Sequence, residues 1–310
     1  MTTQSLNNLT GKIWFDGRFV DWHNAKISLL THSLHYGIAV WEGLRAYQTE
    51  QGTAIFRLDA HTQRLFNSAK IMGITMPYDK ATLNQAHCNV LKENNLAHAY
   101  MRPMIFYGSE SLGVAINENL SVHAAVTAWQ WGDYLGAGAI ENGVRIGISS
   151  YTRPHPNSNL CKAKATGNYT SSVLAANEAR KLGYDEALML DYQGYIAEGS
   201  AQNFFIVRNN ILYTPDTSSI LEGITRASII TIAQDMGLTV QESRLTRDEA
   251  YSADEAFFTG TAAEITPICE IDNRIVGEGK PGEITKKLLN IFTAITHGNN
   301  QDYAHWLHYI

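Results

Sequence analysis

Short apolar runs broken by polar turns open the chain. The stretch Lys12 to Val20 is interrupted by Asp16-Gly17, a pair that accepts the positive φ of a tight hairpin, so two short strands are predicted there. From His61 the apolar residues Leu65, Phe66, Ala69 and Met72 recur at helical spacing, and Gly73 is placed to end that helix. A second helix is predicted over Ala81 to Asn94, followed by strands over Tyr100 to Tyr107 and Val122 to Trp129. Gly132, Gly136, Gly138 and Gly143 then fall close together, which suits a connection better than a regular element. Residues 136–143 are therefore expected to link a smaller N-terminal α+β domain, 1–135, to a larger C-terminal α+β domain, 144–310.

Beyond the glycines, strands and helices mix. Val144 to Ser150 reads as extended, Thr170 to Leu182 as a helix stopped by Gly183, and Glu186 to Leu190 with Tyr195 to Glu198 as a pair turning at Gln193-Gly194. Phe204 to Arg208 and Ile211 to Thr214 form a predicted hairpin at Asn209-Asn210, and helices follow at Thr225 to Met236 and Ile284 to Ile295. Recurrent antiparallel pairs without an uninterrupted βαβ series indicate an α+β fold.

Composition narrows the function. The 310 residues carry 24 Lys and Arg against 30 Asp and Glu, a formal net charge of -6, which lacks the basic excess of phosphate-backbone binders. Nucleic acid is not an expected partner. Met1 to Thr10 is polar and no stretch reaches membrane-spanning length, so a cytoplasmic protein without a membrane partner is expected. Cys88, Cys161 and Cys269 are far apart without C-x-x-C spacing, which fits buried thiols in a reducing compartment and gives no metal site. His32 and His35 lack a convincing third ligand, and the metalloprotease, P-loop and serine-elbow motifs are missing.

Four segments carry candidate chemistry. In Lys162 to Tyr169 a lysine sits among small residues before a helix start, where burial of its stem would ease loss of the proton; a solvated loop lysine is the alternative. Glu198, at a strand end before Gly199-Ser200-Ala201-Gln202-Asn203-Phe204-Phe205, is an odd place for a charge unless it meets a ligand or an arginine. Leu221 to Arg226 opens a helix whose first amides form either a phosphate cradle or an ordinary start, with Gly223 allowing close approach to the backbone. Thr259 to Glu264 is a turn of hydroxyl and small residues that is either an anion cradle or plain surface. Arg64, read as near the start of its helix, has reason to meet an anion.

Taken in order, these segments resemble the class IV aminotransferases, the pyridoxal-phosphate enzymes of fold type IV, most closely the branched-chain members. The likeness runs from about Ile13 to Ile284 and rests on Tyr36-Gly37, Trp41-Glu42-Gly43, His61 to Leu65, Tyr100-x-Arg102-Pro103, Lys164 to Tyr169, Glu198 to Phe205, Leu221 to Arg226 and Thr259 to Glu264. It implies two α+β domains with pyridoxal 5′-phosphate at their interface. Lys164 would carry the cofactor covalently and act as general base and acid, with Lys162 a rival that lacks Gly-Asn-Tyr at the matching offset. Glu198 would face the ring nitrogen, Tyr169 the ring hydroxylate, and Arg64, Gly223, Ile224, Thr225 and Thr261 the phosphate.

For substrates, the resemblance implies Tyr100, Thr261 and Ala262 at the α-carboxylate, and Arg102 with Tyr36 at the distal carboxylate of glutamate. Trp41, Trp131, Tyr134 and Val114, the last from a neighbouring subunit, would line the aliphatic side. The expected activity is transamination between leucine, isoleucine or valine and 2-oxoglutarate by a homo-oligomer, a dimer or a dimer-based hexamer. Alternatives are a D-amino acid or amine transaminase, an aminodeoxychorismate lyase, or a binding protein without turnover. Ser200-Ala201-Gln202-Asn203, where many relatives have Gly-Glu, and Trp41, where phenylalanine is common, depart from the family pattern.

Overall fold

The computed structural model describes residues 9–132 and 138–310. Tyr134 and part of the glycine-rich segment, Gly136 included, lie outside the described residues. The described chain forms two compact units, one of residues 9–132, 162–167 and 296–310, the other of 138–161 and 168–295. Two segments thus lie apart from the neighbours that a simple split near 135–144 gives them: the one carrying Lys164, and 296–310.

In the first unit the elements are β1 (Lys12–Phe15), β2 (Arg18–Asp21), α1 (His32–Tyr36), β3 (Ala39–Trp41), β4 (Leu44–Thr49), β5 (Gly52–Phe56), α2 (Leu58–Ile71), α3 (Lys80–Glu93), β6 (Ala99–Tyr107) and β7 (Val122–Trp129). Asp16 and Gly17 both take positive φ, 46° and 84°, so the predicted hairpin turn forms with β1 and β2 in register. α2 begins at Leu58, earlier than its apolar spacing suggested, because its first turn is read from Leu58 and Asp59 rather than from an apolar repeat. Arg64 therefore lies in the second turn, where the dipole penalty is smaller. β6 pairs with β7 along its length, and Leu65, Ala69, Leu83, Val90, Leu91, Met101, Ile105 and Val126 share one core beneath the sheet.

In the second unit α4 (Ala139–Asn142), β8 (Val144–Ile148), α5 (Thr170–Lys181), β9 (Glu186–Leu190), β10 (Ile196–Gly199), β11 (Asn203–Arg208) and β12 (Ile211–Pro215) are followed by α6 (Ile224–Asp235), β13 (Thr239–Ser243), α7 (Arg247–Tyr251), β14 (Glu255–Gly260), β15 (Glu264–Ile271), β16 (Arg274–Ile275) and α8 (Glu283–Thr296). The order β10-β9-β8-β15-β14-β11 returns on itself through a β10–β11 pairing, closing these six strands into a ring. The closing pair is Glu198 opposite Asn203. Buried Phe204, Ile206, Phe258, Ile268 and Ile146 fill the core, and a helical crossover, α6, joins the parallel strands β12 and β13. The last strand, β17 (Leu307–Tyr309), adds to β5 at the edge of the first sheet. No helix among the described residues is long and apolar enough to cross a membrane.

Candidate active site

Lys164 belongs to the first unit because its backbone is tied there at several points. Its N–H donates to Ser68 Oγ at 2.9 Å and its carbonyl accepts from Trp41 N–H at 3.1 Å, while Thr166 Oγ1 donates to the Gly37 carbonyl at 2.6 Å. A β-bridge joins Val40 to Ala165. The Nζ lies 4.1 Å from the centroid of the Trp41 ring. Burial, and then the neighbouring Arg64 charge, lower its pKa to about 8. Of the two settings open for this lysine, a solvated loop and a partly buried place, the structure has the partly buried one.

Beside it Glu42, His61 and Arg64 form a cluster whose mutual contacts the sequence did not show. Glu42 is fully buried; Arg64 donates from Nε at 2.6 Å to Oε1 and from Nη2 at 2.9 Å to Oε2, and His61 Nδ1 lies 2.7 Å from Oε2. Burial alone would raise the Glu42 pKa, but Arg64 and His61 outweigh it and hold the carboxyl well below its ordinary range. Burial lowers the His61 pKa, with Glu42 opposing, so the ring is neutral near pH 7 and must carry its proton on Nδ1 to bond a carboxylate. Glu42 and His61 both fall inside quoted motifs; their partnership depends on β3 and α2 meeting, which spacing does not reveal.

A third group surrounds Arg102. Its guanidinium carbon lies 4.4 Å from the Trp41 centroid, 5.3 Å from Tyr100 and 5.9 Å from Trp129, and Nη2 donates to Tyr100 Oη at 3.2 Å. Its Nε is buried without a hydrogen-bond partner among the described residues. Tyr100 stacks on Trp131 at 4.6 Å. The expected substrate residues Tyr100, Arg102, Trp41 and Trp131 are thus brought together around an aromatic wall. Tyr36 and Val114 are not part of it: both are exposed, on α1 and on a loop held beside it by His32 Nε2 and the Gly113 carbonyl, 3.1 Å apart.

In the second unit the buried Glu198 meets Arg153, Asn203 and Leu221. Arg153 Nε lies 3.1 Å from Oε1 as an ion pair without an aligned N–H, Asn203 Nδ2 donates to Oε2 at 3.2 Å, and Leu221 N–H donates to Oε2 at 3.4 Å. The arginine that the bland reading of Glu198 required is present, and its position on a loop after β8 gave no motif. Asn203 Nδ2 also donates to the Leu221 carbonyl at 3.0 Å, linking the carboxylate to the turn that opens α6. At Gly223 the backbone is ordinary, φ -67°, and the space is what demands glycine: a Cβ would overlap Asn203 Oδ1. Ile224 and Thr225 begin the first turn of α6, Tyr169 immediately precedes α5, and Thr261 and Ala262 turn between β14 and β15. Thr259 Oγ1, just before that turn, is buried without a hydrogen-bond partner among the described residues.

Residues 39–271 match the family model for amino-transferase class IV, which sets the class. The branched-chain-amino-acid aminotransferase of Pseudomonas aeruginosa is 49% identical over 302 residues, spanning 97% of this chain and 98% of the relative. A T.th. branched-chain amino acid aminotransferase solved with pyridoxamine 5′-phosphate is 45% identical with a TM-score of 0.94, covering 97% of this chain and 99% of that one. The Escherichia coli branched-chain amino acid aminotransferase structure is 43% identical with a TM-score of 0.95, covering 96% and 99%. The chain belongs to this class and, within it, to the branched-chain-amino-acid aminotransferase family.

Proposed function

We propose that the protein is a pyridoxal-phosphate-dependent transaminase that exchanges amino groups between branched-chain L-amino acids and 2-oxoglutarate. The observation that carries this reading is Lys164, an amine of lowered proton affinity beside both Arg64 and the Trp41–Arg102 wall. The residues fit the cofactor. A primary amine suits its carbonyl carbon, a buried carboxylate its ring nitrogen, and a guanidinium with the first amides of a helix its phosphate. The unpartnered Thr259 Oγ1 and Arg102 Nε mark buried polar groups that such ligands would satisfy.

In this reading Lys164 holds the cofactor, Glu198 faces the ring nitrogen and Tyr169 the ring hydroxylate. Arg64, Thr225, Thr261 and the amides of Ile224 and Thr225, beside Gly223, hold the phosphate. When bound, the cofactor supplies an electron sink for the pair left at the substrate Cα. Lys164 Nζ, once free, would carry the proton between that Cα and the cofactor's C4′, acting as general base at one carbon and general acid at the other. Tyr100, Thr261 and Ala262 orient the α-carboxylate. Arg102 meets the distal carboxylate of glutamate, while Trp41 and Trp131 cover aliphatic side chains and exclude water. Each extra methylene contributes only about 1 to 3 kcal/mol of preference in such surroundings, so leucine, isoleucine and valine should differ modestly.

Exposed Leu29, Leu30, Leu34, Leu112, Val114 and Ile116 flank Tyr36 on adjoining segments and support a homo-oligomer, at least a dimer, in which Val114 and Tyr36 serve a neighbour. An active monomer in sedimentation would refute this. The three free thiols fit a cytoplasmic enzyme. Borohydride reduction followed by peptide mapping tests the anchor, with a pyridoxyl mass expected on Lys164 and not on Lys162. Turnover with L-leucine but not with D-alanine or aminodeoxychorismate is expected; the reverse would give the chain a different role within its fold.

A further inference from the structure

The Glu42–His61–Arg64 cluster lies within one unit, and its bonds join side chains of α2 to the residue that follows β3. Glu42 follows β3 and is anchored by two side chains of one helix: His61 and Arg64, three residues apart on α2, reach the same carboxylate. It also bonds through Gly43 N–H, 3.3 Å from Oε2. The carboxylate occupies the Nε–Nη2 edge of the guanidinium and so fixes the direction in which the fork points.

We propose that Glu42, steadied by His61, is a positioning residue that aims Arg64 at the phosphate end of the cofactor. The inference rests on the reading that Arg64 meets that phosphate. Glu42 also offsets the Arg64 charge, and this separates two roles by sign. If Glu42 acted only through charge, replacing it by a neutral group would leave the cation stronger and the phosphate held more tightly. If it acts by aiming the fork, the same replacement loosens the phosphate, because a glutamine has one acceptor oxygen and cannot satisfy both guanidinium donors and His61.

The test uses the holoenzyme and its Glu42→Gln variant, measuring cofactor release on dilution and the ³¹P resonance of the bound phosphate. Release is expected to quicken roughly tenfold or more, with a shifted or broadened resonance. Turnover at saturating cofactor should fall by a smaller factor. The effect should vanish in an Arg64→Gln background, since the two residues act as one unit. Unchanged or slower release, or additive losses in the double variant, would overturn the proposal. Should Glu42→Gln fail to fold, Glu42→Asp keeps the charge but withdraws it by one methylene; quicker release is again expected, and wild-type release overturns the idea. A wild-type protein with no bound ³¹P resonance would instead sink the reading of Arg64 itself.

Discussion

Arg153 Nε stands 3.1 Å from Glu198 Oε1, and both side chains are nearly sealed from solvent. The pair sits where the six-strand ring closes, with Asn203 and the Leu221 N–H also donating to the carboxylate. Two buried charges in contact are costly to separate, since each would be left without compensation.

Arg153→Met should therefore destabilise the apoprotein by about 3 kcal/mol or more, read from urea unfolding. Glu198→Gln keeps the shape and should lower kcat roughly a hundredfold, while cofactor capture by borohydride survives. Equal losses of capture and turnover would show that the carboxylate serves binding rather than chemistry.

Lys164 gives a signature at alkaline pH. Its pKa lies near 8 in the folded protein against 10.5 ordinarily, so between those values the unfolded chain keeps a proton that the native one has released. Apoprotein stability should rise across that window, by at most about 3 kcal/mol, and Lys164→Met should remove the rise. A pH series of denaturant midpoints on both proteins decides this.

His87 acts at the acid end. Its ring is fully buried on α3, Nδ1 lies 2.6 Å from the Leu83 carbonyl, and Nε2 has no hydrogen-bond partner among the described residues. Burial, opposed only in part by that carbonyl, lowers its pKa to about 4 from 6.5. As pH falls through that interval the unfolded chain takes up the proton first, and stability should drop by at most about 3 kcal/mol. His87→Met should flatten this limb. The later loss from Glu42, whose folded carboxyl is also held below its ordinary range, should remain.

Gly43 adopts no unusual backbone, yet a Cβ there would overlap the Tyr100 hydroxyl. Tyr100 cannot retreat easily, being stacked on Trp131 and packed near Trp129. Gly43→Ala should raise KM for amino donors roughly tenfold or more while leaving cofactor capture intact. Unaltered KM would remove Tyr100 from the α-carboxylate.

Local chemistry carried much of the fold. The Asp16-Gly17 turn, the Asn209-Asn210 turn with φ of 51° and 60°, and the helix stop at Gly183 each follow from one or two residues, and each is where expected. β4 escaped notice because buried Arg45 spoils the alternation of Leu44–Thr49. β15 was hidden by Pro267, which still pairs opposite Phe257. At the site, motif order indicated Lys164, Glu198 and Arg102, whereas Arg153 and the joint role of Glu42 and His61 needed the third dimension. Gly223 was read as room for a ligand, and its immediate neighbour is the Asn203 side chain.

The pairing of Leu307–Tyr309 with Ala54–Phe56 joins partners some 250 residues apart in the chain. A ribosome must release the whole second unit before the outermost strand of the first sheet can be laid down, leaving β5 as a bare edge throughout synthesis. Nascent chains stalled before residue 307 should accordingly be those most exposed to strand exchange and most dependent on chaperones.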